Sequence, residues 1–335
     1  MESPSTDAPT SESIYIETPS TDVSAEDRKN NFLEFEMARH DNTIQPNSKY
    51  QYDISNQIIW WWNDSTNTKP IEMTVALPAF NCEKIIWLAL ESLKNQTDIN
   101  FAWELICFEE FGKSRDVIKS YIGQLPGCAR IVHRNIDPTE GVYKKSGRYT
   151  LLEKWINIAN IADNNSKIYV KHACDDYSSP KRLYIHYKHF EIPACHYSTQ
   201  PKGYFYNILT EKFFLYDGMK REKSKIVASP HLNMALRTAI MKKISLPVIP
   251  IFKYIDAYIF KAIVNIIKIN PNKTKMIFCD DEVDKDNWKY SLATDGYNII
   301  SLSRRDWYVK SKKPWIIPCK DPVGLNVPDR LKLLK

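Results

Sequence analysis

The chain has 335 residues, 43% of them hydrophobic, and carries 46 Lys and Arg against 40 Asp and Glu for a net charge of +6. That is enough apolar material for one large domain or two small ones with a real core, and the mild basic excess suits phosphate-bearing ligands as well as an ordinary soluble protein. No apolar run reaches the roughly 20 residues that span a bilayer, so no transmembrane segment is expected.

Residues 1–49 open the chain with a Ser/Thr/Pro/Glu-rich stretch in which ESPSTD at residues 2–7 returns as ETPSTD at residues 17–22. Such polar near-repeats have nothing to bury, so a disordered tail is expected. Residues 50–70 hold Ile58, Ile59, Trp60, Trp61 and Trp62. Three consecutive tryptophans will not stay in water, and the segment is expected to pack on the main domain, with a carbohydrate-stacking surface as the alternative.

The globular part starts near Ile71. MTVAL at residues 73–77 reads as a short apolar strand ended by Pro78, after which Asn81 is placed to cap a helix. That helix carries Ile86, Ala89, Leu90 and Leu93 at i, i+3, i+4 and i+7, a buried stripe, and stops near Asn95. WELICF at residues 103–108 reads as a second strand and residues 129–133 as a third. A long helix follows with Leu152, Trp155, Ile156 and Ala159 on one face, and residues 168–170 form a fourth strand. Further on, AIVNII at residues 262–267 reads as part of a buried helix. Alternating strands and helices predict an α/β domain with a mainly parallel central sheet flanked by helices.

Ligands of such sheets sit at the carboxyl ends of the strands. PAFN (78–81) follows the first strand, Glu109 and Glu110 the second, and Asp175 and Asp176 the fourth. Paired carboxylates at a strand end repel unless they are exposed or share a cation or a donor group. Hard divalent cations take carboxylate oxygens together with substrate phosphate oxygens; a solvated acidic turn is the plainer alternative. Neither G-x-G-x-x-G nor G-x-x-x-x-G-K-[ST] occurs, which argues against a dinucleotide or P-loop site. With 9 glycines the chain is poorly equipped to cradle phosphate with backbone amides. The seven cysteines form no C-x-x-C pair, which argues against a ribbon-type zinc site. Their odd number and the lack of a signal peptide read as reduced thiols in the cytoplasm.

Four segments resemble, in order, the inverting, nucleotide-sugar-dependent glycosyltransferases of the GT-A fold (family 2-like). MTVALPAFN (73–81) is similar to the opening strand of that family. ALESLKNQT (89–97) is similar to its first helix, WELICFEE (103–110) to its second strand with the closing acids, and DDYSSPKRL (175–183) to its metal-site segment. The resemblance covers residues 71–183. It implies a nucleotide-sugar-binding half at 71–190 and an acceptor-binding half with a C-terminal extension at 191–335.

The resemblance also implies roles. Pro78, Ala79, Phe80 and Glu110 would bind the donor's base, Glu110 standing where Asp is usual and accepting a uracil-like N3–H. Asp175, with Asp176 in support, would hold Mn2+ or Mg2+ and the diphosphate of a UDP-sugar, while Ala173 stands where the first acid of the Asp-x-Asp motif is expected. Asp256 would be the base that deprotonates an acceptor hydroxyl on a glycan, a lipid-linked sugar or a protein, with Ile255 in place of the usual Glu. Arg304 and Arg305 could meet the diphosphate, and Lys144 and Lys145 could also face it. His172 beside the acid pair reads more simply as a sheet residue than as a ligand. A degenerate, non-catalytic sugar- or nucleotide-binding protein of the same fold is the alternative. The basic cluster at 220–225 reads as an exposed loop rather than a nucleic-acid surface.

Overall fold

In the computed structural model the described residues are 50–53, 58–63, 69–80, 82–110, 112–136, 149–200, 202–207, 212–217, 233–247, 255–267, 275–278, 289–293 and 316–320. All of them belong to the unit Asn47–Lys335. The polar tail at 1–49, Asn81, Lys144, Lys145, the basic cluster at 220–225, Arg304 and Arg305 lie outside the described residues.

Four strands form the parallel heart of the fold: β3 (Ile71–Phe80), β4 (Ala102–Glu110), β5 (Cys128–Ile136) and β6 (Ile168–Lys171), set side by side as β5-β4-β3-β6. They are connected through α1 (Ile86–Lys94), α2 (Arg115–Lys119) and α3 (Leu151–Ile161). Strands covered on both faces read as nearly continuous apolar runs rather than alternating ones, and every residue of β4 is buried.

One face packs Met73, Val75, Leu77, Leu105 and Cys107 against Ile86, Ala89, Leu90 and Leu93 of α1, so the expected stripe is the buried one. The other face packs Ala76, Ile106, Phe108 and Val132 against Leu152, Trp155, Ile158 and Ala159 of α3. Ile156 is only half-buried. Thr150 starts α3 through a capping box with Glu153. The N-cap of α1 is Ile85 and makes no side-chain cap bond; the helix begins too far along for a cap at Asn81.

The sheet continues outward with antiparallel strands. On one side, β2 (Ile58–Trp62) pairs with β5, and β1 (Tyr50–Asp53) pairs with β2. The tryptophan segment is therefore hydrogen-bonded into the sheet rather than laid against it. Trp61 is buried and stacks on His133 at 6.1 Å, while Trp62 is exposed.

On the other side, β11 (Asn233–Arg237) runs antiparallel between β6 and β8 (Cys195–Gln200), and β12 (Lys275–Phe278) closes that edge. β7 (Asp176–Ser178), β9 (Lys202–Asn207), β10 (Lys212–Asp217), β13 (Lys289–Ala293) and β14 (Ile316–Cys319) make a second sheet in the order β14-β10-β9-β13-β7. The remaining helices are α4 (Arg182–Phe190), α5 (Thr238–Met241) and α6 (Ile255–Ile267).

At the amino ends of the parallel strands a buried polar hub ties the layers. Glu104 accepts from Thr74 Oγ1 at 2.7 Å, from the Asp163 amide at 2.8 Å and from Arg130 Nε at 2.8 Å. Burial raises the Glu104 pKa against the lowering pull of Arg130. Polarity at this end is thus spent on structure, and the carboxyl ends carry the remaining chemistry.

Candidate active site

Strand alternation decides which side chains meet at the carboxyl ends. Ala79 sits in the α1-side core, whereas Phe80 and Glu110 are register partners across β3 and β4. Of the four residues expected at the base, Pro78, Ala79 and Phe80 lie within β3 rather than after it, and Ala79 presents its side chain to the opposite face. What it offers on the α3 side is its carbonyl, which accepts from Lys154 Nζ at 3.0 Å. Lys154, on α3, also lies 3.5 Å from Glu110 Oε1 and 5.5 Å from the centre of the Phe80 ring. One buried ammonium thus gathers Ala79, Phe80 and Glu110. Sequence reading misses it, although a lysine interrupting the apolar pattern between Leu152 and Trp155 is the available signal.

The two glutamates do not follow β4; they are its last two residues, both buried, and they point to opposite faces. Glu109 lies 2.9 Å from His133 Nε2 and accepts the Ser114 amide at 3.3 Å. The adjacent Gly112 has no room for a side chain, since a Cβ there would lie 1.5 Å from Glu109 Cδ. Glu110 Oε1 accepts the Tyr149 amide at 2.7 Å. Each carboxylate is stabilised by its own protein partners on its own face of β4.

After β6 the chain makes a turn at 172–175 and enters β7. Asp175 is half-buried on this turn, while Asp176 is 2% exposed in β7. The Ala173 amide donates to Asp176 Oδ2 at 3.4 Å, and the Asp176 amide donates to the Ala173 carbonyl at 3.1 Å. The Asp176 charge also favours the protonated form of Arg182, whose pKa burial lowers to about 10. Asp176 therefore faces inward, and Asp175 is the more open acid of the two. The neighbouring Cys82 thiol, with burial, pushes the Cys174 thiol well above its ordinary range, and Cys174 packs against the core cluster that holds Cys82. That contact seats the turn against the segment that leaves β3.

His172 is buried with both ring nitrogens engaged. Nδ1 accepts from Arg182 Nη1 at 2.9 Å, so the proton is on Nε2, which lies 3.3 Å from Ser92 Oγ. His172 lies past the end of β6, in the turn and not in the sheet as expected, and a ring held by these bonds serves as a packing element. Asp256 is the second residue of α6, whose Ile255, Ile259 and Ile263 are buried in the α3-side core; its side chain lies outside what is described.

No protein-family model matches the chain, and no curated protein matches it. Among solved structures, it resembles S. aureus TarS 1–349 in complex with UDP-GlcNAc, at a TM-score of 0.47 and 15% identity, over 68% of this chain and 60% of that one. The same TarS portion in complex with UDP gives 0.47 and 16%, over 67% and 61%. The 4-diphosphocytidyl-2C-methyl-D-erythritol synthase of Anaerococcus prevotii gives 0.40 and 11%, over 70% and 99%. The chain spans about three fifths of the length of these TarS structures. At these scores none of them assigns an activity to this chain. Among the described residues, no helix is long and apolar enough to cross a membrane.

Proposed function

We propose that the chain is a GT-A-type glycosyltransferase that moves a sugar, with inversion, from a UDP-sugar to an acceptor hydroxyl on a glycan, a lipid-linked sugar or a protein. The observation that carries the reading is the meeting of Phe80, Glu110 and Lys154 at the carboxyl ends of adjacent parallel strands, with the Asp175 turn following the next strand. Phe80, Glu110 and Asp175 fall, in order, within three of the segments that resemble the family; Lys154 lies outside them.

In this reading Phe80 offers its half-buried ring to the base, with Pro78 and the backbone of Ala79 beside it. Glu110 accepts N3–H of uracil once the base has entered beside Phe80. Arg304 and Arg305 meet the diphosphate, and Asp256 takes the proton of the acceptor hydroxyl as it attacks the anomeric carbon.

A divalent cation, Mn2+ or Mg2+, fits the donor set through Asp175, because such ions are held by one or two carboxylates completed by phosphate oxygens and water. When bound, it supplies Lewis-acid neutralisation of the departing diphosphate. Asp176 acts in support by holding the turn from inside. Ala173, Ile255 and the inward Asp176 are what favour the second reading, a binding protein of the same fold without turnover.

Incubation with Mn2+ and a panel of nucleotide-sugars, read as release of free nucleoside diphosphate, separates the two. Slow hydrolysis of at least one donor, abolished by EDTA, is expected. Tight donor binding with no turnover, with or without acceptors, would sink the enzyme reading. Asp256→Asn is expected to keep donor affinity and lose transfer, and unchanged transfer would remove Asp256 from the mechanism.

A further inference from the structure

We infer that Arg182 is a positioning residue that holds the Asp175 turn in the geometry for cation and diphosphate binding, acting as a clamp across the base of that turn; this rests on the donor-binding reading above. The turn leaves β6 at Lys171 and runs into the short β7, which closes at Ser178, and a single guanidinium holds both of these residues. Arg182 Nη2 donates to the Lys171 carbonyl, and Nη1 donates to Ser178 Oγ at 2.8 Å and to His172 Nδ1 at 2.9 Å. His172 carries the restraint onward to α1 through Ser92.

Arg182 is 1% exposed, so it cannot touch a substrate in this arrangement. Burying a guanidinium is costly unless its donors are used; here both Nη groups are turned on the segment that presents Asp175, while Nε has no partner among the described residues. A planar fork meets three acceptors at fixed angles at once, which an ammonium on a flexible stem cannot reproduce. The same cation faces Asp176, whose carboxylate holds the Ala173 amide inside the turn. The inward Asp176 and the buried Arg182 are thus two parts of one brace, with Asp175 as the residue it displays. Groups that orient ligating carboxylates commonly matter to cation affinity as much as the outer ligands do.

The test uses the full chain with Mn2+ and UDP as probes. The affinity of each is measured in the presence of the other, by the loss of the free Mn2+ spin signal and by calorimetry. The variants are Arg182→Lys, Asp175→Ala and the double variant. Arg182→Lys is expected to weaken Mn2+–UDP binding by about 10-fold or more. The double variant is expected to bind no more weakly than Asp175→Ala alone, because Arg182 acts through Asp175.

Additive losses, or an Arg182→Lys protein that binds as the wild type does, would overturn the clamp. If Arg182→Lys does not fold, Ser178→Ala removes one arm of the clamp and carries the same non-additive prediction. The two readings fail differently. If wild-type protein shows no Mn2+-dependent UDP binding, the donor-binding reading falls. If it binds, and Asp175→Ala weakens binding while Arg182→Lys does not, only the clamp falls.

Discussion

Asp175→Ala is expected to lower Mn2+-dependent donor hydrolysis by at least about 100-fold, equivalent to about 2.7 kcal/mol of lost transition-state stabilisation, while leaving the fold intact. The two halves of the expectation have separate causes. Asp175 is the open acid of its turn, so removing its carboxylate creates no buried cavity. At a half-buried position the expected cost is the ordinary single-substitution loss of about 1 kcal/mol. In the proposed reading the carboxylate would also be the protein's own contribution to a cation otherwise completed by phosphate and water. Steady-state hydrolysis and thermal unfolding measured on the same preparation check both halves. Residual activity within a few-fold of wild type, still sensitive to EDTA, would place the cation elsewhere.

The second large effect is expected at Lys154→Met, which should destabilise the protein by about 3–5 kcal/mol, the cost of removing one partner from a buried ion pair. The side chain is almost wholly buried, and its loss takes a charge partner from Glu110, a donor from the Ala79 carbonyl and a cation from the Phe80 ring. Adding Glu110→Gln should recover much of the loss, because the carboxylate that made the ammonium necessary is then gone. Urea unfolding of the single and double variants measures this. A single variant within about 1 kcal/mol of wild type would show that the gathering of these groups is not held by Lys154.

How far the sequence could be read depended on whether the information was local. Strands β3, β4 and β6 are legible because both their faces are covered, which leaves apolar runs that few other structures would tolerate. The α1 stripe is legible because its 3.6-residue period selects one face. The opposed directions of Glu109 and Glu110 follow from strand alternation as soon as both are placed inside β4 rather than after it.

The pairing of distant segments is not local. Nothing in residues 233–237 says that they run antiparallel between β6 and β8, because register is chosen by the whole sheet. The role of Arg182 is hidden for the same reason: nothing within DDYSSPKRL marks it, and only the folded turn shows what its fork grips. Dividing the chain at residue 190 likewise separates by order what the fold interleaves, since β8, β11 and β12 complete the sheet that β3 to β6 begin.

The crossing between β6 and β7 carries this furthest. Within four residues the backbone leaves one sheet and joins another, and β7 takes its antiparallel partner from residues 289–293, more than a hundred positions downstream. Asp175 therefore stands on a seam stitched from both sides, one edge sewn by the first half of the chain and the other by the last fifth. A fragment ending ahead of β13 would keep every motif that resembles the family and still lack the far edge of the stitching. Conversely, a ligand that tugs on β13 would reach the acidic turn through hydrogen bonds alone, bypassing the parallel core.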